Sequence, residues 1–185
     1  VKQELTAPVE VELLADGRLV VWSTEDSRNL FNTDFYGKPL GNPKPREDFE
    51  EPLILDLIEG IYLLEKKKVF VLLNNHKMTF ASLRKVAREK LEGFDAKYRV
   101  YHDLREKGFV VTPGLKYGCD FAVYEHGPGI DHAPYIIQVM SREDQMTALD
   151  VVKAGRLAST VRKTFIAAIP SCNDVEYLEF KWWKA

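Results

Sequence analysis

Between residues 114 and 135 the chain reads GLKYGCDFAVYEHGPGIDHAPY, which sets Tyr124 and His132 on either side of a glycine-rich turn. Further on, TVRK at 160–163 supplies Lys163 in a stretch free of acidic residues. A phenol, an imidazole and an ammonium can cleave a phosphodiester without a metal, two of them moving protons and the third facing the charge that builds up. Taken singly, each has an ordinary reading: a strand tyrosine that packs, a loop histidine in solvent, a surface lysine. The combination carries the expectation. His126 flanks the same Gly127-Pro128-Gly129 turn and competes with His132. Both histidines with Asp131 could also be taken for metal ligands, but no third ligand follows at regular spacing. His76 and His102 read as surface positions on a turn and a helix.

Charge placement supports a polyanionic ligand more than total charge does. The 185 residues carry a formal net charge of −2, which argues against a coat of positive charge for non-specific nucleic-acid binding. From Val151 to Ile169, however, lie Lys153, Arg156, Arg162 and Lys163 and no acid, a local focus for phosphate. A solvated helix face would show the same run. With 45% hydrophobic and 29% charged residues the chain can bury a core of ordinary size. No apolar run approaches the ~20 residues of a membrane span and no signal pattern opens the chain, so a soluble cytoplasmic protein is expected. Cys119 and Cys172 lack CxxC spacing, which gives no zinc or dithiol motif, while a bridge between them stays open.

The elements that must position these residues follow from hydrophobic period and turn chemistry. VEVELLADGRLVVWS at 9–23 predicts a hairpin about Ala-Asp-Gly. GKPLGNPKPREDFEEP at 37–52, with prolines at 43, 45 and 52, predicts an exposed loop. LILDLIEGIYLLEKKK at 53–68 has apolar residues at helical spacing, VFVLLN at 69–74 reads as a buried strand, and Thr79 should cap a helix beginning FASLRKVAREKL. A second unit starts near Phe94. There 95–108 predicts a helix capped by Asp95 and closed by Gly108, and FVVTPG, GCDFAVYEHG and APYIIQVMS predict strands. In the middle strand Phe121 and Val123 should face inward, with Asp120, Ala122 and Tyr124 on the other face. Asp150 should cap VVKAGRLASTVRK, and TFIAAIP and VEYLEFKWW should close the sheet around a turn at Ser171 to Asp174. The fold class expected is α+β, a small mixed domain over residues 1–93 with the basic loop 37–52, and a sheet flanked by helices over 94–185.

At these residues the chain resembles the archaeal tRNA-splicing endonucleases. YRVYHDLREKGFVVTPGLKYGCDFAVYEHG is similar to the family pattern Y-x-x-Y-x-D-L-R-x-[RK]-G-[YF]-x-V-x-x-G-x-K-[FY]-G-x-D-F-x-V-Y, and His132-Ala133-Pro134-Tyr135 to its H-[AS]-x-Y. LIEGIYLLEK resembles the N-terminal domain more loosely. The resemblance implies a restriction-endonuclease-like catalytic domain that cuts precursor tRNA at bulge-helix-bulge junctions. It leaves a 2′,3′-cyclic phosphate and a 5′-hydroxyl and uses no cofactor or metal. It makes Tyr124 the general base toward the ribose 2′-hydroxyl, His132 the general acid and Lys163 the transition-state cation. An internal nucleophile already sits beside the phosphorus, so proximity supplies much of the rate. A phenol, with its reference pKa of about 10, is a poor base at neutral pH. It needs nearby cations, or else it orients the hydroxyl.

The resemblance also implies RNA contacts and an assembly. Arg156 sits where the family carries one of two arginines that sandwich a bulge base, a role suited to a planar guanidinium. The C-terminal EFKWWKA has no second arginine, so Lys181, Trp182, Trp183 or a partner must take that place. Lys153 and Arg162 add local charge, and Lys44 and Arg46 in the proline-stiffened loop are expected to touch RNA. The family works as four domains, because its RNA has two cleavage sites. The chain is therefore expected in a heterotetramer with a non-catalytic subunit, or in a homotetramer. Asp174, Tyr177, Phe180 and Trp182 are the candidate subunit contacts. The competing readings are a non-catalytic subunit of that assembly and a plain RNA-binding module.

Overall fold

The computed structural model describes residues 7–42, 45–130, 132–172 and 174–180, and at 153, 158 and 161 the backbone alone. Among the expected contact residues, Lys44, Lys181, Trp182 and Trp183, together with the side chain of Lys153, lie outside what is described. The chain divides into two compact units, Val1–Phe94 and Asp95–Ala185. Both are mixed α/β structures, an α+β fold in which the described residues form five helices and two mixed sheets. Among the described residues no helix is long and apolar enough to cross a membrane.

The first unit is a sheet with three helices. Strands β1 (Val9–Leu13) and β2 (Leu19–Val21) form the expected antiparallel hairpin. Helix α1 (Thr24–Asp34) was not anticipated, although Ser23 accepts from the Asp26 N–H as its N-cap and Glu25 and Asp26 suit its first turn. Strands β3 (Lys38–Pro39), β4 (Leu53–Leu55), β5 (Val69–Leu73) and β6 (His76–Lys77) complete the sheet in the order β3-β4-β2-β1-β5-β6, with β5 parallel to β1. Helix α3 (Phe80–Lys90) is capped by Thr79 as expected and buries Leu83 and Ala87.

Two readings of this unit need correction. The predicted helix 53–68 is a strand followed by a shorter helix: β4 pairs with β2 and β3, and α2 runs only over Leu57–Glu65. Its start is fixed by a capping box, in which the Asp56 carboxylate accepts from the Glu59 N–H at 2.8 Å and Glu59 returns the bond to the Asp56 N–H at 3.1 Å. Apolar spacing could not separate the two elements, because Leu53 is as deeply buried in the strand as it would be on a helix. The 37–52 loop, for its part, is not simply exposed. Phe49 is buried and stacks edge-on against Phe31 of α1 at 5.5 Å, and Arg28 donates to the carbonyls of Phe49 and Asp48 at 2.6 and 2.7 Å. Arg46 lies in this anchored stretch and is exposed.

The second unit positions the candidate site. Helix α4 (Phe94–Glu106) begins one residue earlier than expected, so Asp95 lies in its first turn and complements the dipole there. Gly108 ends it at φ +88°, where a side chain would be strained. Strands β7 (Val110–Pro113), β8 (Phe121–Tyr124), β9 (Tyr135–Val139), β10 (Thr164–Pro170) and β11 (Val175–Phe180) form a sheet in the order β11-β10-β9-β8-β7. Only β9 and β10 are parallel, and helix α5 (Ala148–Val161) makes the crossover between them. The cap of α5 is Thr147 rather than Asp150. Thr147 Oγ1 accepts from the Asp150 N–H at 3.2 Å, while the Asp150 carboxylate accepts from the Thr147 N–H at 3.0 Å, a reciprocal box whose acid stands at the third helical position.

The sheet is covered on both faces. On one, Ile136, Phe165 and Ala167 cluster with Cys119 and with Ala154 and Leu157 of α5. On the other, Tyr101 of α4 lies 6.0 Å from Phe121. Ala122, expected on the face opposite Phe121 and Val123, is therefore also buried, at 1% exposed. Cys119 and Cys172 are both free, the first buried and the second exposed.

Candidate active site

Strand register brings the expected residues to one end of the sheet. Val123 pairs with Tyr135 across β8 and β9, and Tyr135 pairs with Thr164 across β9 and β10. One residue further along, the same register carries Tyr124 and Lys163 to the level of Pro134, and the Thr164 N–H donates to the Pro134 carbonyl at 2.8 Å. Paired residues project to the same face of a pleated sheet. Tyr124 and Lys163 thus belong to the face of Ala122, Ile136 and Phe165, the one covered by α5. His132 is exposed and lies two residues before Pro134, in the segment that enters β9 at this edge.

Lys163 is held from two directions. Its ammonium donates to the Ala133 carbonyl, next to His132, and sits 5.2 Å from the centroid of the Tyr117 ring. Arg162 delivers it there, since its φ of +53° ends α5 with a left-handed residue and turns the chain into β10. Tyr117 ends a single 3₁₀ turn, Leu115–Tyr117, and packs half-buried against the α5-side core. The Lys116 ammonium lies 4.9 Å from the same ring. Interaction with the Tyr117 side chain pushes the pKa of Lys116 above the ordinary lysine value, and Tyr124 adds a smaller push in the same direction.

The other expected residues fall into three groups. Arg156 and Arg162 are exposed, the first on α5 and the second just after it. Asp174 is exposed in a tight turn, in which its carbonyl accepts from the Ser171 N–H at 2.8 Å. Tyr177 and Phe180 turn back onto their own unit: the Tyr177 hydroxyl donates to Asp103 of α4 at 2.6 Å, and Phe180 meets Phe165 edge-on at 5.6 Å. His126 is exposed beside the glycine turn. His76 is exposed on β6, and His102 on α4 lies 6.1 Å from the Tyr98 ring. Among the described residues no three His, Cys, Asp or Glu side chains are grouped as metal ligands.

Sequence reasoning passed over Lys116 and Tyr117 as functional candidates. The signal was present in Gly114-Leu115-Lys116-Tyr117-Gly118, a turn flanked by glycines that places a cation and an aromatic ring just before the Tyr124 strand. Only the fold shows that this turn meets Lys163, which is 46 residues away in the chain by its numbering.

Comparison with known proteins agrees with this architecture in both units. Residues 94–177 match the family model for the tRNA intron endonuclease catalytic C-terminal domain, and residues 11–84 match the model for its N-terminal domain. A tRNA-splicing endonuclease of Hyperthermus butylicus is 45% identical over 171 residues, covering 90% of this chain and 94% of that protein. Those of Sulfurisphaera tokodaii and Sulfolobus acidocaldarius are 39% and 37% identical, covering 94% and 95% of this chain and 98% and 99% of theirs. With both domains matched in order and nearly the whole chain aligned, this chain belongs to the tRNA intron endonuclease family.

Proposed function

We propose that this chain is a catalytic subunit of a tRNA-splicing endonuclease, excising introns from precursor tRNA in the cytoplasm with Tyr124, His132 and Lys163 as its catalytic set. The family supports the activity. The observation that supports the residue assignment is the register that sets Tyr124, at the end of β8, level with Pro134 and Lys163, which immediately precede β9 and β10, with the His132 segment leading into β9.

The chemistry needs no outside nucleophile. Tyr124 accepts the proton of the ribose 2′-hydroxyl, and the 2′-oxygen attacks the adjacent phosphorus. The bond from phosphorus to the 5′-oxygen breaks, and His132 supplies the proton that oxygen takes up. The products are a 2′,3′-cyclic phosphate and a 5′-hydroxyl, with one proton accepted and one returned. Lys163 faces the phosphorane oxygens, and its bond to the Ala133 carbonyl fixes the ammonium before substrate arrives. Arg156, Arg162, Lys153, Arg46 and Lys44 are assigned to the RNA backbone and bulge bases. A bulge-helix-bulge RNA has two cut sites, and one chain carries one catalytic set. The working particle is therefore a tetramer, which we assign as a heterotetramer with a non-catalytic subunit.

The test uses the purified assembly and a bulge-helix-bulge RNA in the presence of chelator. Tyr124→Phe, His132→Ala and Lys163→Ala should each lower single-turnover cleavage by about 10²–10⁴-fold, the usual worth of a placed proton-transfer or charge-stabilising group, while RNA binding persists. Full cleavage by any one of them would remove that residue from the set. Binding without cleavage by the unmodified chain would favour the plain RNA-binding reading.

A further inference from the structure

Two ammonium groups, not one, are gathered around Tyr117. The nitrogen of Lys163 is 5.2 Å from the ring centroid and that of Lys116 is 4.9 Å from it, so their separation cannot exceed those two lengths laid end to end. Each lies within the range at which a cation is attracted to an aromatic face. No carboxylate among the described residues is paired with either lysine. The nearby Asp120 is held instead by Lys97 at 3.0 Å and by Gln138 and the Val139 N–H at 2.7 and 2.8 Å. Two cations gathered around one ring with no acid paired to either leave positive charge there that the protein does not neutralise, and a phosphate would complement it.

The turn that carries Lys116 is built rather than loose. The Gly114 carbonyl accepts from the Tyr117 N–H at 2.8 Å and the Gly114 N–H donates to the Asp120 carbonyl at 2.9 Å. A Cβ at Gly114 would come within 2.8 Å of the backbone of Cys119 and Phe121, so the turn is pressed directly against the root of β8. Tyr117 packs into the α5-side core, while Lys116 is exposed. A half-buried ring thus supports an exposed charge beside Lys163.

We propose that Lys116 is a second phosphate-binding ammonium of this site, contacting the RNA backbone beside the scissile linkage, and that Tyr117 is the positioning residue that holds Lys116 and Lys163 around one ring. This rests on the assignment of Lys163 to the active site. Lys163 faces the reacting phosphoryl group, and Lys116 takes a non-bridging oxygen of the same or the adjoining phosphate.

The experiment measures single-turnover kcat/KM of the assembled enzyme on a bulge-helix-bulge RNA between roughly 50 and 200 mM salt, with thermal melting as the check on folding. Lys116 is exposed, so Lys116→Gln should melt with the unmodified protein. It should lower kcat/KM on the order of tenfold to a hundredfold, the loss of one charged hydrogen bond, and reduce the slope of log kcat/KM against log salt by about one. Lys116→Arg should recover most of both, because it keeps the charge. Tyr117→Leu should cost more than Lys116→Gln, since it releases both lysines, whereas Tyr117→Phe, which keeps the ring, should cost less than Tyr117→Leu. An unchanged rate and salt slope for Lys116→Gln would overturn the proposal. Lys163→Ala is run alongside: if it cleaves normally, the site assignment itself fails, which is distinct from Lys116 alone being dispensable.

Discussion

Tyr177 donates its hydroxyl to Asp103 at 2.6 Å from within the protein, and burial, followed by that bond, raises its pKa well above the free-tyrosine value of 10.0. The neutral phenol is the form the fold prefers. Its contribution to stability is therefore complete below about pH 10 and is lost as pH rises above that value. Tyr177→Phe should cost about 1–3 kcal/mol at neutral pH, chiefly by leaving Asp103 without this donor, and its melting temperature should fall less than the unmodified protein's between about pH 10 and 11. Equal alkaline slopes in the two proteins would show that Tyr177 does not carry this linkage. At this scale the sequence singles out residues whose type is demanding in itself. Tyr124, His132 and Lys163 stood out because few residue types suit proton transfer and charge stabilisation. Lys116 and Tyr117 did not, because their meaning lies in a contact with Lys163 that no local pattern encodes. Tyr177 and Phe180, expected at a subunit contact, are half-buried and also touch their own unit, since an aromatic residue on an edge strand looks alike whether it serves a partner or its own helix.

Helix α5 links cap chemistry to the site. It begins at the Thr147–Asp150 box and ends by delivering Arg162 and Lys163 to the sheet edge, while Ala154 and Leu157 pack against the strands below. Thr147→Ala removes one half of the box and should destabilise the protein by about 0.5–2 kcal/mol. Denaturant melts would read this as a lower midpoint at unchanged slope, and an unchanged midpoint would mean that the box is not what starts the helix. The strands of this unit were legible from alternation and turn residues, as were the Thr79 cap and the Gly108 stop. What failed was the resolution of neighbouring signals. Asp150 looked like a cap because an acid before an apolar run is ambiguous between the first and third positions of a box. Leu53–Leu55 merged into the helix after it because three consecutive apolar residues, two of them buried, fit either period. Helix α1 passed unnoticed since its polar, acid-rich sequence shows little apolar stripe, although Ser23 marked its start.

At the scale of the molecule, two α/β units match the two domains of the family in order. Among the described residues β11 is an edge strand of the catalytic unit's sheet, and Leu178 on it is 49% exposed. Native mass measurement should find the active particle as a tetramer that includes a second, non-catalytic subunit. A fully active particle of this chain alone would move the assignment to a homotetramer. The fold class was readable from the whole pattern of elements, but partner identity was not, because an open strand edge has the same sequence whatever covers it. The central claim is that the RNA's own 2′-oxygen is the nucleophile, assisted by Tyr124, His132 and Lys163. It is tested most directly by replacing the ribose at one cut site of a bulge-helix-bulge RNA with 2′-deoxyribose and analysing the ends formed in chelator. The account predicts that the modified site binds and stays uncut while the unmodified site yields a 2′,3′-cyclic phosphate and a 5′-hydroxyl. Cleavage at the deoxy site, or a 3′-hydroxyl at either site, would contradict it.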